Sequence, residues 1–213
     1  VGAMLKGAPE AGAVAVGGNI GLPLSEITPR LTRDDTLVAE VSSFQLESIV
    51  DFRPDIAVVL NISPDHLDRH GTMDAYVAAK IRVVENQTAD DLLVINADDD
   101  ATEAFARATS ARVVAFSLQR PVPFGAFLEG SSIVWAEDGA RTTVCRADRL
   151  GVPGRHNLAN ALAATAVARA MGVSPDRIEE ALAGFRGLDH AYEIVGDVDG
   201  VTYVDDSKAT NLP

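Results

Sequence analysis

The sequence predicts an α/β fold, a mostly parallel sheet flanked by helices, and three observations carry that prediction. Short apolar runs rich in Val, Leu and Ile recur at residues 12–16, 36–39, 55–60, 92–96, 111–116 and 132–135. They lack strict polar alternation, as do strands covered on both faces. Helical patterns lie between several of them, and polar clusters follow four of them, at the strand ends where open α/β sheets bind ligands.

Each element has its own justification. The opening stretch VGAMLKGAPEAG reads as mid-helix, because no Ser, Thr, Asp or Asn precedes Met4 and Leu5 as a cap. Residues 44–49 turn amphipathic after the acid and two serines of EVSS. In 73–87 the apolar residues Met73, Tyr76, Val77, Ile81 and Val84 recur at helical spacing, and 101–109 reads as a helix as well. Residues 118–149 change to short strand-like pieces and turn residues, as in an antiparallel edge or meander. The Ala- and Leu-rich helix 157–171 stops at Gly172. The next takes Ser174 as cap and Pro175 as first residue, and ends at Gly184 or Phe185. The tail, 191–204, reads as two strands turning at Asp199-Gly200. A lone hairpin is marginal in water, so this tail is expected to open a further domain.

Composition narrows the function. With 213 residues, 47% of them hydrophobic, the chain can bury a substantial core. A net charge of -13 argues against a nucleic-acid or membrane-surface partner, either of which calls for a basic patch. An anionic ligand would have to be held by local cations, helix N-termini or a divalent metal. The one cysteine, Cys145, excludes an internal disulfide and Cys-rich metal sites, and fits a reducing cytoplasm. No apolar run reaches the roughly 18 residues that span a bilayer.

The polar clusters are GGNIG (17–21), EVSS (40–43), NISPDHLDRH (61–70) and NADDD (96–100). Glu40 reads either as a surface acid at a strand end or as an oxygen ligand for Mg²⁺. His66, between Asp65 and Asp68, is either a hydrogen-bonded loop residue or an imidazole oriented by an acid toward a metal or phosphate. The glycines of GGNIG make a tight turn or let the backbone approach a ligand that the Asn19 amide reads. Lys80 falls inside the apolar stripe of its helix, four residues after Tyr76 and four before Val84. It either snorkels or stands as a partly buried amine, and burial disfavours the charged form of an amine. A neutral amine is nucleophilic and can add CO₂ to become an anionic carbamate. Asn157 and Asn160 share one face of a first helical turn. Capping explains Asn157 better than Asn160, and two such amides can also read a purine edge or ribose. DDSKATN (205–211) is either a polar turn or a phosphate- or ribose-binding loop.

Taken in this order, GGNIGLP, EVSSFQLE, NISPDHLDRHGTMDAYVAAKIRVVENQ, NADD, GRHNLANALAA and DSKATN resemble the Mur ligases of bacterial cell-wall synthesis. They run from Gly17 to Asn211, so the resemblance covers nearly the whole chain. Among family members it is most similar to those that add D-glutamate to UDP-N-acetylmuramoyl-L-alanine. It implies an ATP-dependent, amide-bond-forming ligase that works through an acyl phosphate in peptidoglycan synthesis. ATP, UDP-N-acetylmuramoyl-L-alanine and D-glutamate would be its small-molecule substrates and Mg²⁺ its cofactor, in a cytoplasmic monomer. It places the central P-loop-like ATPase domain at 1–187, lacking its P-loop strand, and the start of a truncated Rossmann-like C-terminal domain at 188–213. A fragment of this kind is expected to be inactive alone.

Residue by residue, the resemblance implies that Glu40, His66 and Lys80, the last as a carbamate, hold the metal and serve catalysis. It puts Asn19, Ser42 and His66 at the substrate, and Asn157, Asn160, Asp206, Lys208 and Thr210 at ATP. The family's G-T-N-G-K-[ST]-T phosphate loop would lie just before Val1, and Ala191 stands where the family carries an arginine. A non-catalytic nucleotide-binding relative and a sister ligase for another amino acid are the alternatives.

Overall fold

The computed structural model describes residues 1–188 and 191–207. Helix α1 (Gly2–Leu5) leads to strand β1 (Val14–Gly18), helix α2 (Leu24–Ile27) and strand β2 (Thr36–Glu40). Then come α3 (Ser43–Leu46), β3 (Ile56–Val59), α4 (Leu67–His70) and α5 (Met73–Ile81). These are followed by β4 (Leu92–Asn96), α6 (Glu103–Ala108) and β5 (Arg112–Ser117). A meander of β6 (Gly125–Glu129), β7 (Ser132–Glu137) and β8 (Ala140–Arg146) precedes α7 (Arg155–Ala170) and α8 (Pro175–Gly184). Strands β9 (Glu193–Val198) and β10 (Val201–Asp205) form the final hairpin.

Strands β3 to β8 make one sheet in chain order, parallel from β3 to β6 and antiparallel from β6 to β8. The α/β expectation therefore holds, and the meander expected within 118–149 is the antiparallel part. Strands β1 and β2 pair in parallel as a separate two-stranded sheet.

Alternation along β4 shows why its sequence lacks polar breaks. Val94 packs with Val114, Phe116 and the α7 residues Leu162 and Ala166, whereas Leu93 and Ile95 pack with Val84 and Phe105. Both faces are covered, so both must be apolar. Residues 161–168 of α7 are all buried, with Thr165 the one polar side chain among alanines, Leu162 and Val167. Alanines let the helix backbone come close to Trp135 and Phe116, and Leu162 and Ala166 are fully buried there. Among the described residues no helix is long and apolar enough to cross a membrane.

Several boundaries differ from the sequence expectation, for identifiable reasons. The helix expected at 44–49 is only Ser43–Leu46, because Arg82 supplies its C-terminal partners: Nη1 donates to Leu46 O (2.9 Å) and Nη2 to Ile49 O (2.8 Å). The helix expected through residue 87 ends at Ile81 and continues as a tight turn, Arg82–Val84. Beyond it, Asn86 donates to Val50 O and Phe52 O, and Gln87 to Pro54 O and Leu92 O. These side chains fasten the turn to the segment entering β3. Helix α7 starts two residues before Asn157, with Gly154 as its N-cap at φ 103°. Asn157 is thus not the cap: its Nδ2 donates back to Pro153 O at 2.6 Å. Ser174 does precede Pro175 at the start of α8, but without a side-chain capping bond. The Asp199-Gly200 turn is as expected, with φ 53° and 79°, the left-handed pair that a two-residue hairpin favours.

Candidate active site

The carboxyl end of β2 is built around glycine. Gly18 pairs with Glu40, and Asn19 N donates to Glu40 O at 2.8 Å. Gly18 N donates to Leu22 O at 2.8 Å and closes the GGNIG turn. A Cβ on Gly17 would stand 2.4 Å from Leu22 O, and one on Gly18 2.3 Å from Glu40 O. The glycines therefore serve both the turn and the close approach of two backbones. The Asn19 and Glu40 side chains are left exposed at this rim.

Immediately after Glu40 the chain turns into α3 through a capping box. Ser42 Oγ accepts from Gln45 N (3.3 Å), and Ser42 N donates to Gln45 Oε1 (2.9 Å). The Ser42 hydroxyl also donates to Gln45 Oε1 (3.2 Å), so it is engaged within the turn. Ser43 Oγ meets His70 Nε2 at 3.0 Å. Phe44 projects between two imidazoles, 4.9 Å from His66 and 5.5 Å from His70 between ring centroids.

His66 ends the loop that follows β3. Its backbone is left-handed, φ 51° and ψ 32°, a conformation that His tolerates better than bulkier residues. Asp65 Oδ1 accepts from His66 N at 2.9 Å, and Asp65 Oδ2 lies 3.5 Å from His66 Nε2. The root of the loop is held by NADDD. Asn96 Nδ2 donates to Leu60 O (3.0 Å), and Ile62 N donates to Asp99 Oδ2 (2.8 Å). Asp98 accepts from Ser117 Oγ and Leu118 N, each at 2.6 Å. Asp98 and Asp99 thus act as scaffold between strand ends.

Helix α5 opens with Thr72, whose hydroxyl accepts from Ala75 N at 3.2 Å. Lys80 is half-buried on the same face as buried Tyr76, and its Nζ lies 5.1 Å from the Tyr76 ring centroid. Among the described residues Nζ has no hydrogen bond or carboxylate partner. Tyr76 in turn touches His70 (5.4 Å between ring centroids). His66 and Lys80 are accordingly gathered around one aromatic cluster, entered from Glu40 through Ser43 and Phe44.

A second group forms at the start of α7. Asn160 is exposed and makes no side-chain hydrogen bond among the described residues, while Asn157 is partly buried. His156 meets Tyr192 edge-on at 5.3 Å, and Tyr192 N donates to Asp206 Oδ1 at 2.9 Å. Asp206 is thereby linked through Tyr192 to His156, the residue before Asn157. Lys208 and Thr210 lie outside the described residues. Beside this helix end is a cavity of about 490 Å³ lined by Leu150, Val152, Gly154 and Leu158, with Asp148 and Arg155 as its charged members. The first N–H groups of α7 have no intrahelical acceptor, so the helix end favours anionic groups.

The donor chemistry suits a magnesium ion only in part. Glu40 is an exposed carboxylate and His66 an exposed imidazole, and Mg²⁺ accepts one or two protein donors when phosphate oxygens and water complete its shell. No three His, Cys, Asp or Glu side chains gather to hold a metal among the described residues. Lys80 as an amine repels a cation; as a carbamate it would become the missing anionic donor. Cys145 is no nucleophile here, since burial pushes its thiol up to about 11.

Sequence reasoning passed over His70, Ser43 and Phe44. His70 side chain is only 3% exposed and sits at the hub of the cluster. The available signal was its place four residues after His66, across a single helical turn.

Residues 7–168 match the model of the Mur ligase middle domain. The chain is 50% identical over 196 residues to UDP-N-acetylmuramoylalanine--D-glutamate ligase of Pelotomaculum thermopropionicum, covering 92% of this chain and 43% of that protein. It is 46% identical to the enzyme of the same name from Acidobacterium capsulatum, covering 93% of this chain and 44% of that one. The chain therefore spans less than half the length of these relatives. In structure it resembles MurF ligase from Thermotoga maritima, solved in complex with ADP, with a TM-score of 0.65 at 19% identity, over 96% of this chain and 48% of that one.

Proposed function

This chain belongs to the Mur ligase family, through its middle domain, and from that premise we propose that it serves ATP-dependent addition of D-glutamate to UDP-N-acetylmuramoyl-L-alanine. The observation that carries this reading is the convergence of His66 and Lys80 on one aromatic cluster beside the strand end that bears Glu40. The identity to D-glutamate ligases over most of the chain supports the choice of amino acid.

In this reading the muramoyl-alanine carboxylate oxygen attacks the γ-phosphorus of ATP, and ADP leaves. The D-glutamate amine then attacks the acyl carbon of the acyl phosphate, phosphate departs, and the amine loses its proton as the amide forms. Mg²⁺, when bound, supplies positive charge against the repulsion between carboxylate and phosphates. Glu40 and His66 would hold it, with Lys80 as a carbamate. Asn19, on the turn facing Glu40, would hydrogen-bond the acyl end of the substrate. Asn157, Asn160 and Asp206, at the start of α7 and the end of β10, would orient the nucleotide, together with Lys208 and Thr210. The unoccupied N–H groups of α7 add a fixed positive field there.

A cytoplasmic setting and a monomeric state belong to the same reading, with residues 1–187 as the ATP-binding domain and 188–213 opening the next. These 213 residues, covering 43% of their relatives, are expected not to turn over alone. The test is ADP release by the full-length protein with UDP-N-acetylmuramoyl-L-alanine and each of several amino acids. Release that depends on both the nucleotide sugar and D-glutamate is expected. Release with a different amino acid would make it a sister ligase, and ADP-binding without release a non-catalytic relative.

A further inference from the structure

His66 and Lys80 come from different elements and make no contact with each other. Three rings lie between them. His66 packs against Phe44 with ring centroids 4.9 Å apart and planes at 53°. Phe44 stacks on His70, 5.5 Å away and 8° from parallel. His70 meets Tyr76 at 5.4 Å and 58°, and Lys80 Nζ sits 5.1 Å from the Tyr76 ring. We propose that His70 is a positioning residue, the wedge that fixes the spacing of His66 and Lys80 through Phe44 and Tyr76. The proposal rests on the reading of His66 and Lys80 as active-site groups.

The physical case is that His70 cannot turn. Its side chain is 3% exposed, one nitrogen lies 3.0 Å from Ser43 Oγ, and the other lies 3.5 Å from Glu47 Oε1. With Nε2 in a hydrogen bond to the Ser43 hydroxyl and Nδ1 facing the Glu47 carboxylate, the ring is held about its axis. Both anchors belong to the turn and short helix that follow Glu40. A ring so held presents a face to Phe44 and an edge region to Tyr76 at set distances, and aromatic pairs resist sliding from such arrangements. Arg69 adds a second hold on Phe44: its guanidinium carbon lies 5.9 Å from that ring and its Nη2 donates to Glu47 Oε2 at 3.0 Å. Arg82, which donates to Leu46 O, ties α5 to the same helix. The short helix that follows Glu40 and the helix that bears Lys80 therefore meet at one imidazole, with His66 joined to it through Phe44.

The experiment compares wild type, His70→Ala and His70→Phe in the full-length protein. It reads the half-saturating Mg²⁺ concentration, kcat, KM for ATP and Tm. His70→Ala is expected to raise half-saturating Mg²⁺ about tenfold and to lower kcat about tenfold, with KM for ATP within about twofold. His70→Phe restores the ring without its bond to Ser43 or its approach to Glu47, and is expected to recover most of the Mg²⁺ effect while keeping part of the Tm loss. A Tm loss in both variants with no change in half-saturating Mg²⁺ would show a merely structural histidine and overturn the proposal. Should wild type lack ligase turnover, the function reading fails instead, and NMR of the 213-residue chain decides this one. His66 and Lys80 side-chain signals that move together in His70→Ala and return in His70→Phe uphold it; signals that stay in place refute it.

Discussion

At the scale of single residues, the site depends on groups with little freedom. Gly18 has φ 118°, and a Cβ there would press on the carbonyl oxygen of Glu40. Gly18→Ala should cost about 1–3 kcal/mol of stability, from backbone strain and the forced shift of β2. Urea unfolding measures the cost, and an unchanged midpoint would mean that the strands part easily. Lys80 is a different case, because in the proposed function its value lies in its amine chemistry. Lys80→Arg keeps a cation over Tyr76 but offers a guanidinium that does not take up CO₂. In the full-length protein, ADP release should fall by about 100-fold or more, since the proposed anionic donor would be replaced by a permanent cation. Near-normal release would exclude a carbamate role.

At the scale of elements, short helices here are held by side chains more than by their own length. Helix α3 has four residues, too few to stand alone. Its start is the Ser42–Gln45 capping box and its end is the Arg82 guanidinium. Ser42→Ala should lower stability by about 1 kcal/mol, read from denaturant unfolding. The same variant separates two roles: a rise in KM for the nucleotide sugar would assign Ser42 a substrate contact, and an unchanged KM would leave it as a cap. The loop carrying His66 is likewise set by its neighbours, through Asn96 and Asp99 at the end of β4.

At the scale of the whole molecule, the segments leading into β3 and β4 are locked by one buried acid. Asp91 receives Arg53 Nε at 2.8 Å and Nη2 at 2.9 Å, and Thr88 N also donates to it. These bonds, Arg53 first, hold the Asp91 carboxyl down from 3.8 to about 2. A carboxyl depressed on folding stabilises the protein above its unfolded value, and that stabilisation is lost as pH falls from 3.8 toward about 2. Stability measured across that window should therefore decline in wild type and decline less in Asp91→Asn, whatever the variant's loss at neutral pH. Parallel curves would place the acid sensitivity elsewhere.

Much of this is legible in the sequence. Strand 92–96, the stops at Gly172 and Gly184, the Asp199-Gly200 turn and the odd place of Lys80 on an apolar stripe all follow from local periodicity and backbone preference, which neighbours in sequence dictate. Glu40 at a strand end and His66 in the loop after β3 could be singled out for the same reason. Local pattern could not show that β1 and β2 stand apart from the six-stranded sheet, that Asn157 turns back to Pro153, or that Ser42 is engaged by Gln45. Nor could it show His70 as the hub between Phe44 and Tyr76. Those outcomes depend on which distant groups arrive to satisfy a buried nitrogen, carbonyl or ring face, and only the packed chain decides that.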